Sequence, residues 1–240
     1  MLSLIVPDLH VPFNDKRRTG KMLDWARKNK PGRVVLLGDV LEVHALSTHR
    51  KDPRWEDCLH KELAAGRKFL EELRAACPKS DITYIEGNHE LRWRSHFQNR
   101  TPVMRLLGIT IDSYLGLGDL GVRWHSGDRK RGVGVPCGQG KKVYCYHGHY
   151  PKMSGKISGN VAQALAAKRG HSVHIGHTHK VGGGFVNVGG KRLFGFEGGH
   201  LVNESHPVFE YGGVNPPWMS GFSVYDSERR DSCFPHFITP

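Results

Sequence analysis

Five short apolar runs in this chain are each followed at once by residues that can bind a metal ion. The clearest run, residues 82–85, is β-branched and aromatic, which predicts a buried strand; it leads into Gly87, Asn88, His89 and Glu90. The other four stretches are Asp8-Leu9-His10, Gly38-Asp39-Val40-Leu41-Glu42, Tyr146-His147-Gly148-His149 and Gly176-His177-Thr178-His179. So many polar strand ends predict a sheet fold whose functional side chains gather at one edge.

The first hundred residues alternate predicted strands and helices. Strands are predicted at 2–6, 34–37 and 82–85, and helices from Asn14 or Asp15 to about Asn29, from Asp52 to about Cys77, and over 91–99. This alternation is typical of an α/β fold with a parallel-leaning sheet, in which ligands bind at the carboxyl ends of the strands.

The second half is richer in predicted strands. They fall at 122–125, 143–146, 172–175, 185–188, 192–196 and 222–225, with a helix at 161–168 and a glycine-rich, basic loop at 127–140. We interpret residues 1–240 as a single domain whose motifs span 8–179. Residues 180–240 are expected to complete a second sheet packed on the first.

The charge of the chain favours a polyanionic partner. Lys and Arg total 35 against 23 acidic residues, a formal net charge of +12, and ten basic residues but one acid lie between Arg123 and Arg169. A solvated basic face is the plainer alternative. The five cysteines show no Cys-x-x-Cys spacing, which indicates free thiols and a cytoplasmic protein. No stretch approaches the ~20 apolar residues that span a bilayer, so no membrane partner is expected.

The polar strand ends supply a definite set of metal ligands. They are two carboxylates, one amide and four imidazoles: Asp8, His10, Asp39, Asn88, His147, His177 and His179. Oxygen and nitrogen ligands without thiolates suit manganese, iron or zinc better than calcium or copper(I). Seven ligands are too many for one tetrahedral site but suffice for two metals if one carboxylate bridges. Two metals about 3.5–4 Å apart are the usual device for phosphoester hydrolysis. We expect two divalent ions, manganese first, with iron, zinc, nickel or magnesium as alternatives.

The order of these motifs resembles the calcineurin-like metallophosphoesterase family. Its pattern is Asp-x-His, Gly-Asp-x-x-Asp, Gly-Asn-His-Asp/Glu, a lone His and Gly-His-x-His, and all five blocks occur between Asp8 and His179. The resemblance implies a four-layer αββα sandwich with two central mixed β-sheets. It assigns one metal to Asp8, His10, Asp39 and His179, and the other to Asp39, Asn88, His147 and His177. It also implies that His89 contacts the phosphate and protonates the leaving oxygen.

Two positions depart from that pattern or leave it open. Glu42 stands where the family usually has Asp, at a position that does not bind metal directly, so we expect a tolerated change. Val43 and His44 follow it, where the phosphoprotein-phosphatase branch has an arginine, which speaks against that branch. In the fourth motif His147 and His149 are both available, and we choose His147 because it directly follows the strand.

These features predict a dinuclear-metal phosphoesterase, with DNA or RNA as the leading substrate and a phosphodiester as the bond cleaved. The residues expected to bind the substrate are Arg92, Arg94, Arg129, Lys130 and Arg131. The first alternative is a phosphatase that acts on nucleotides, phosphoproteins or other monoesters. The second is a non-catalytic scaffold stabilised by metal. The oligomeric state is open.

Overall fold

The computed structural model describes residues 1–48, 59–98, 101, 103–127, 131–138, 140–153, 155–229 and 233–240. Its strands are β1 (Leu2–Val6), β2 (Arg33–Leu36), β3 (Asp81–Ile85), β4 (Val122–His125), β5 (Val133–Pro136), β6 (Lys142–Tyr146), β7 (Val173–Ile175), β8 (Val181–Val188), β9 (Lys191–Gly198), β10 (Phe222–Asp226) and β11 (His236–Ile238). Its α-helices are α1 (Lys16–Asn29), α2 (Leu59–Ala76), α3 (Asn88–Trp93), α4 (Val103–Leu106), α5 (Ile111–Tyr114) and α6 (Asn160–Arg169).

The strands form two mixed sheets, as predicted. The first has the order β11-β10-β1-β2-β3-β4, in which β1 to β4 run parallel and β10 is antiparallel to β1. The second has the order β5-β6-β7-β9-β8, with a parallel centre and antiparallel strands at both edges. In both sheets the carboxyl ends of the parallel strands carry the predicted motifs.

Three apolar clusters join the elements into four layers. Met22 of α1 and Leu70 of α2 pack with Val34 on the outer face of the first sheet. The alternate residue Val35 faces inward and packs with Val143, because successive side chains of a strand point to opposite faces. On the far side, Leu165 of α6 packs on the second sheet. The α/β class and the layered αββα arrangement are therefore confirmed.

Local signals set the helix ends as the sequence predicts. The Asp15 carboxylate accepts from the Arg18 backbone N–H at 2.9 Å and caps α1, and Lys30 ends that helix at φ 46°. Gly170 ends α6 at φ 72°. The start of the helix predicted from Asp52 lies outside the described residues.

Some predicted boundaries are wrong. The predicted loop at 127–140 contains β5, which pairs with β6; glycine and Pro136 hide a strand that sits at a sheet edge, where proline is tolerated. Residues 180–240 do not simply complete the second sheet, because β10 and the unpredicted β11 join the first. The helix expected at 91–99 begins at Asn88, and a π-helical turn, Arg94–Gln98, follows Trp93.

The cysteines and the helices answer two further expectations. Cys77, Cys137, Cys145 and Cys233 are free thiols, as predicted, and Cys58 lies outside the described residues. Within the described ranges, no helix has both the length and the apolar character needed to cross a membrane.

The contact between α6 and β9 is close enough to require glycine. A Cβ on Gly195 would lie 2.2 Å from the carbonyl carbon of Ala162, and backbone cannot move aside cheaply. We expect Gly195→Ala to lower the free energy of unfolding by about 1–3 kcal/mol, as overpacking does. Urea denaturation measures the change.

Gly20 of α1 provides the matched control. A Cβ there would have no atom within 4 Å. Gly20→Ala should raise the free energy of unfolding by up to about 1 kcal/mol, because alanine favours a helix interior. Equal effects of the two substitutions would contradict the close packing of α6 on β9.

Candidate metal centre and active site

Five turns bring the seven predicted ligands together between the two sheets. Three turns follow strands of the first sheet and carry Asp8 and His10 after β1, Asp39 after β2 and Asn88 after β3. Two follow strands of the second sheet and carry His147 after β6 and His177 and His179 after β7. Ligand atoms converge in two groups, Asp8 with His10 and His179, and Asp39 with His147 and His177.

The first group is fully inside the protein. His10 Nε2 lies 3.2 Å from His179 Nε2, and His179 Nε2 lies 3.7 Å from Asp8 Oδ1. The three residues are at most 4% exposed. Burial raises the pKa of Asp8 to about 6, opposed by His147 and assisted by Asp39. Two imidazole nitrogens and a carboxylate that face one another at these distances form a donor set suited to a divalent cation.

The second group shows the same convergence with Asn88 added. His147 Nε2 lies 2.8 Å from Asn88 Oδ1 and 3.3 Å from Asp39 Oδ2. His147 Nδ1 donates its hydrogen to the Leu37 carbonyl at 2.9 Å, so in a neutral ring Nε2 carries a lone pair. That lone pair faces two oxygen acceptors, an arrangement that a cation satisfies. The described residues therefore fit a metal ion here.

The geometry separates the two candidate histidines of the fourth motif. His147 is fully buried and faces Asp39 and Asn88. The ring of His149 lies 5.2 Å from that of His147 and 6.2 Å from that of His177. The structure thus places His147 in the group, as the sequence predicts, and His149 beside it.

Asp39 lies between the two groups. Its Oδ1 accepts from the His89 backbone N–H at 2.9 Å, while its Oδ2 lies 3.3 Å from His147 and 3.8 Å from His10. Burial opposes ionisation of this carboxylate, but His147, His89 and His10 outweigh it and hold the pKa of Asp39 well below its usual range. A buried, ionised carboxylate that faces both groups can serve both.

Unusual backbone conformations aim the ligands. His10, Asp39, His177 and His179 all have positive φ, between 46° and 64°. Non-glycine residues rarely adopt this region, and such strain collects at functional sites. Gly87 lets its backbone lie close to the Asp39 carboxylate, since a Cβ at Gly87 would be 2.2 Å from Asp39 Oδ1.

Glu42, which stands where the family usually has Asp, contacts two histidines of the site. Its Oε2 accepts from His10 Nδ1 at 2.6 Å, and its backbone carbonyl accepts from His89 Nδ1 at 2.8 Å. Burial opposes ionisation of Glu42, but the two histidines lower its pKa overall. A carboxylate on Nδ1 of a metal-binding histidine fixes the ring and raises its basicity. Sequence reasoning missed this role, because only the fold brings the two imidazoles to Glu42.

Glu90 is a second carboxylate that sequence reasoning missed. Its oxygens accept from the backbone N–H groups of Asp39 at 3.0 Å, Leu41 at 3.0 Å and Gly87 at 2.9 Å, and from the Tyr84 hydroxyl at 2.7 Å. It therefore ties the turn after β2 to the turn after β3. The signal was available: Glu90 stands three residues after the N-cap Gly87, the capping-box position.

His89 lies beside the cluster with its proton-bearing atoms defined. Nδ1 donates to the Glu42 carbonyl, so Nε2 is the atom that can exchange a proton toward the cleft. Burial lowers the pKa of His89, but Asp39 and Glu42 outweigh it and raise it to about 9. Arg92 opposes that rise, since its Nη2 lies 3.1 Å from Nε2.

The predicted basic residues do not all reach the cluster. Arg92 does, through His89 and the Glu42 carbonyl at 2.7 Å. Arg94 pairs with Glu86 at 2.9 Å. Arg131 stacks on Tyr144, on the outer face of β6, and donates to its hydroxyl. Arg129 and Lys130 lie outside the described residues.

A sequence comparison identifies the family of this chain. The sequence model of the calcineurin-like phosphoesterases matches residues 1–181, about three quarters of the chain. The chain belongs to that family. Together with the convergent His, Asp and Glu side chains, membership indicates a hydrolase of phosphoesters that binds divalent metal.

The individual proteins that this chain resembles share little sequence identity with it. This calcineurin-like phosphoesterase is 25% identical over 237 residues to the gene 54 protein of Mycobacterium phage L5 and 24% identical over 241 residues to that of phage D29; each match covers 92% of this chain and 87% of the relative. YfcE, a phosphoesterase from E. coli, has a TM-score of 0.47 at 17% identity, over 94% of this chain and 88% of its own. Vps29 from Entamoeba histolytica, solved with zinc, has a TM-score of 0.46 at 14% identity, over 93% and 84%.

The position of Asp39 leads to a prediction about metal content. We expect Asp39→Asn to lower the affinity for two metal equivalents rather than one, because an amide supplies no negative charge to either group. The manganese content of the reconstituted protein, measured by elemental analysis, should fall from about two equivalents toward none. Loss of a single equivalent would contradict the shared position.

Glu42→Gln is the matched comparison, since it removes a charge from a residue that orients His10 and His89 but is not one of the seven predicted ligands. It should weaken metal affinity by roughly 10–100-fold, as loss of a partner behind a ligand does, yet leave about two equivalents at saturating metal. Calorimetric titration with manganese measures both quantities. An unchanged affinity would show that Glu42 does not position His10.

Proposed function

We propose that this phosphoesterase is a dinuclear-metal phosphodiesterase that cleaves DNA or RNA. The observation that carries the dinuclear centre is Asp39, whose Oδ2 lies 3.3 Å from His147 in one group and 3.8 Å from His10 in the other. Asp8, His10, Asp39 and His179 would hold one ion, and Asp39, Asn88, His147 and His177 the other. Manganese is the proposed metal.

Two bound divalent ions would make a water nucleophilic at neutral pH and neutralise charge on the phosphate oxygens. The protein supplies the rest. Glu42 holds His10 and His89 in orientation. Arg92, 3.1 Å from His89 Nε2, is positioned to contact a phosphate oxygen bound next to that nitrogen. His89 would deliver a proton from Nε2 to the leaving oxygen, since Nδ1 is committed to the Glu42 carbonyl.

Charge supports a polyanionic substrate. The formal net charge is +12, and the most basic stretch enters and leaves at the edge that carries the ligands. On one side, His125 at the end of β4 pairs with Ile85, just before the Asn88 turn; on the other, Val133 opens β5 opposite Cys145, just before His147. In the sequence the basic residues 129–131 lie between β4 and β5, and residues 129 and 130 are outside the described part of the chain. Successive phosphates need several cations, whereas a small monoester needs one or two.

His89→Gln tests the proposed acid. We expect the variant to keep its metal content and lose about 10²–10⁴-fold in turnover of a diester with an alkoxide leaving group. A nitrophenyl diester should lose little, because nitrophenolate leaves without a proton. Steady-state kinetics on the two substrates measures the difference, and equal losses would remove His89 from the acid role.

Salt dependence tests the polymeric substrate. Each phosphate contact on single strands adds about −0.7 to the log–log slope of affinity against salt, so three contacts predict about −2. Replacing Arg129, Lys130 and Arg131 with alanine should flatten that slope and leave hydrolysis of a nitrophenyl diester unchanged. Fluorescence anisotropy with labelled oligonucleotide measures it.

Replacing Arg17, Lys21 and Lys28 with alanine controls for net charge. These exposed residues lie on α1, in an outer layer of the fold. The replacement removes the same charge and should leave the slope unaltered. If nucleic acid is neither bound nor cut at low salt while a nucleotide or phosphopeptide monoester is turned over, the monoesterase alternative replaces the nuclease.

A further inference from the structure

Three aromatic side chains form a continuous surface beside the metal centre. Phe209 and Tyr211 belong to the 3₁₀ turn Pro207–Gly212, and Trp218 follows it. Ring centroids are 6.3 Å apart for Phe209 and Tyr211, 6.4 Å for Phe209 and Trp218, and 5.6 Å for Tyr211 and Trp218. Phe209 is 3% exposed and Tyr211 67% exposed, so this aromatic ridge runs from the floor of the site to solvent.

The aromatic ridge starts on the ligands of one group. The ring of Phe209 meets that of His10 at 5.5 Å and 83°, and the ring of Trp218 meets that of His179 at 4.7 Å and 73°. Both contacts are edge-to-face. A phosphate held at His10 and His179 would therefore have this aromatic surface within reach of its ester substituent.

Tyr211 forms the exposed end of the ridge. Burial of its hydroxyl, and after it the negative charges of Glu42, Asp39 and Asp8, raise the pKa of Tyr211.

Trp218 is seated rather than loosely placed. A Cβ on Gly212 would lie 2.6 Å from Cη2 and 2.8 Å from Cζ2 of the indole, so the ring packs directly on the glycine backbone. A side chain at position 212 would therefore displace the indole. The ridge lies in the C-terminal segment, beyond the residues 1–181 that the family model matches.

We propose that the aromatic ridge is a subsite that stacks the base of a nucleoside whose sugar is joined by one ester bond to the phosphate at the metal centre. The inference rests on the proposed phosphodiesterase activity and narrows its substrates to nucleoside phosphodiesters, free or within a strand. Aromatic platforms accept any base, because every base has a π-face. Tyr211 is 67% exposed and Trp218 is half-buried, so the ridge offers open aromatic surface to a base.

Two diesters with the same leaving group isolate the ridge. Thymidine 5′-(4-nitrophenyl phosphate) and methyl 4-nitrophenyl phosphate both release nitrophenolate, but only the first carries a base. Trp218→Ala should lower kcat/KM for the thymidine ester about five- to a hundredfold, the effect of losing one base stack, mainly through KM. The methyl ester should change little.

Graded and control variants separate stacking from general damage. Trp218→Phe should keep most of the preference for the thymidine ester, because a flat ring remains. Gly212→Ala should give a smaller loss than Trp218→Ala, since it displaces the indole without removing it. Phe185→Ala removes a half-exposed aromatic of β8 that contacts Phe234, and should alter neither substrate.

Binding gives a readout independent of turnover. Calorimetry with thymidine 5′-monophosphate and with methyl phosphate should show weaker nucleotide binding in Trp218→Ala and equal binding of methyl phosphate. Competition then identifies the source: tighter binding of a short oligothymidylate indicates a strand, and tighter binding of the mononucleotide indicates a free nucleotide.

The two proposals fail in different ways. If neither ester is hydrolysed by metal-loaded wild-type protein, the phosphodiesterase activity is wrong, while nucleotide binding still tests the ridge. If Trp218→Ala lowers both esters equally and leaves nucleotide affinity unchanged, Trp218 only supports His179 and the base subsite is wrong.

Discussion

The site depends on one carboxylate, Asp39, being held as an anion where water does not reach. An ionised carboxylate is costly to bury unless charges and hydrogen bonds surround it. Here the His89 backbone N–H donates to one oxygen, and the imidazoles of His147 and His10 face the other. Because each Nδ1 donates elsewhere, the neutral rings turn their Nε2 lone pairs toward this anion. A shell arranged in this way is incomplete without positive charge, which explains why burial and metal binding coincide.

Two more buried carboxylates show how neighbours decide what an acidic group does. Glu90 faces backbone N–H groups and the Tyr84 hydroxyl, so it fixes the path of two turns. Glu42 faces imidazoles, so it fixes the orientation and basicity of His10. Neither needs to touch a metal to matter. Asp39 has a left-handed backbone, and Glu90 accepts from its N–H, a contact that helps to hold that conformation.

The sequence predicted what is local and missed what is distant. Apolar runs followed by polar residues are short-range patterns, so strand ends, the α/β class and the convergence of the ligands could be foreseen. The edge strand β5 was missed because glycine and proline mask its pattern. The role of Glu42 and the aromatic ridge were missed because they depend on non-local contacts. The Leu201 N–H donates to the Asp8 carbonyl at 2.8 Å and brings the C-terminal segment across the site, and no local pattern encodes that pairing.

The pairing of β1 with β10 has a consequence for how the molecule is made. Leu2 lies opposite Asp226, so the strand that presents Asp8 gains its outer neighbour only when nearly all of the chain is present. Contacts of such sequence separation slow folding, since the chain must close a long loop before they form. During synthesis every ligand leaves the ribosome before β10 does. Until then β1 has an open edge, the kind of edge that pairs with other chains. Copies that lack β10 are therefore the ones prone to association, and pairing of β10 with β1 closes that edge.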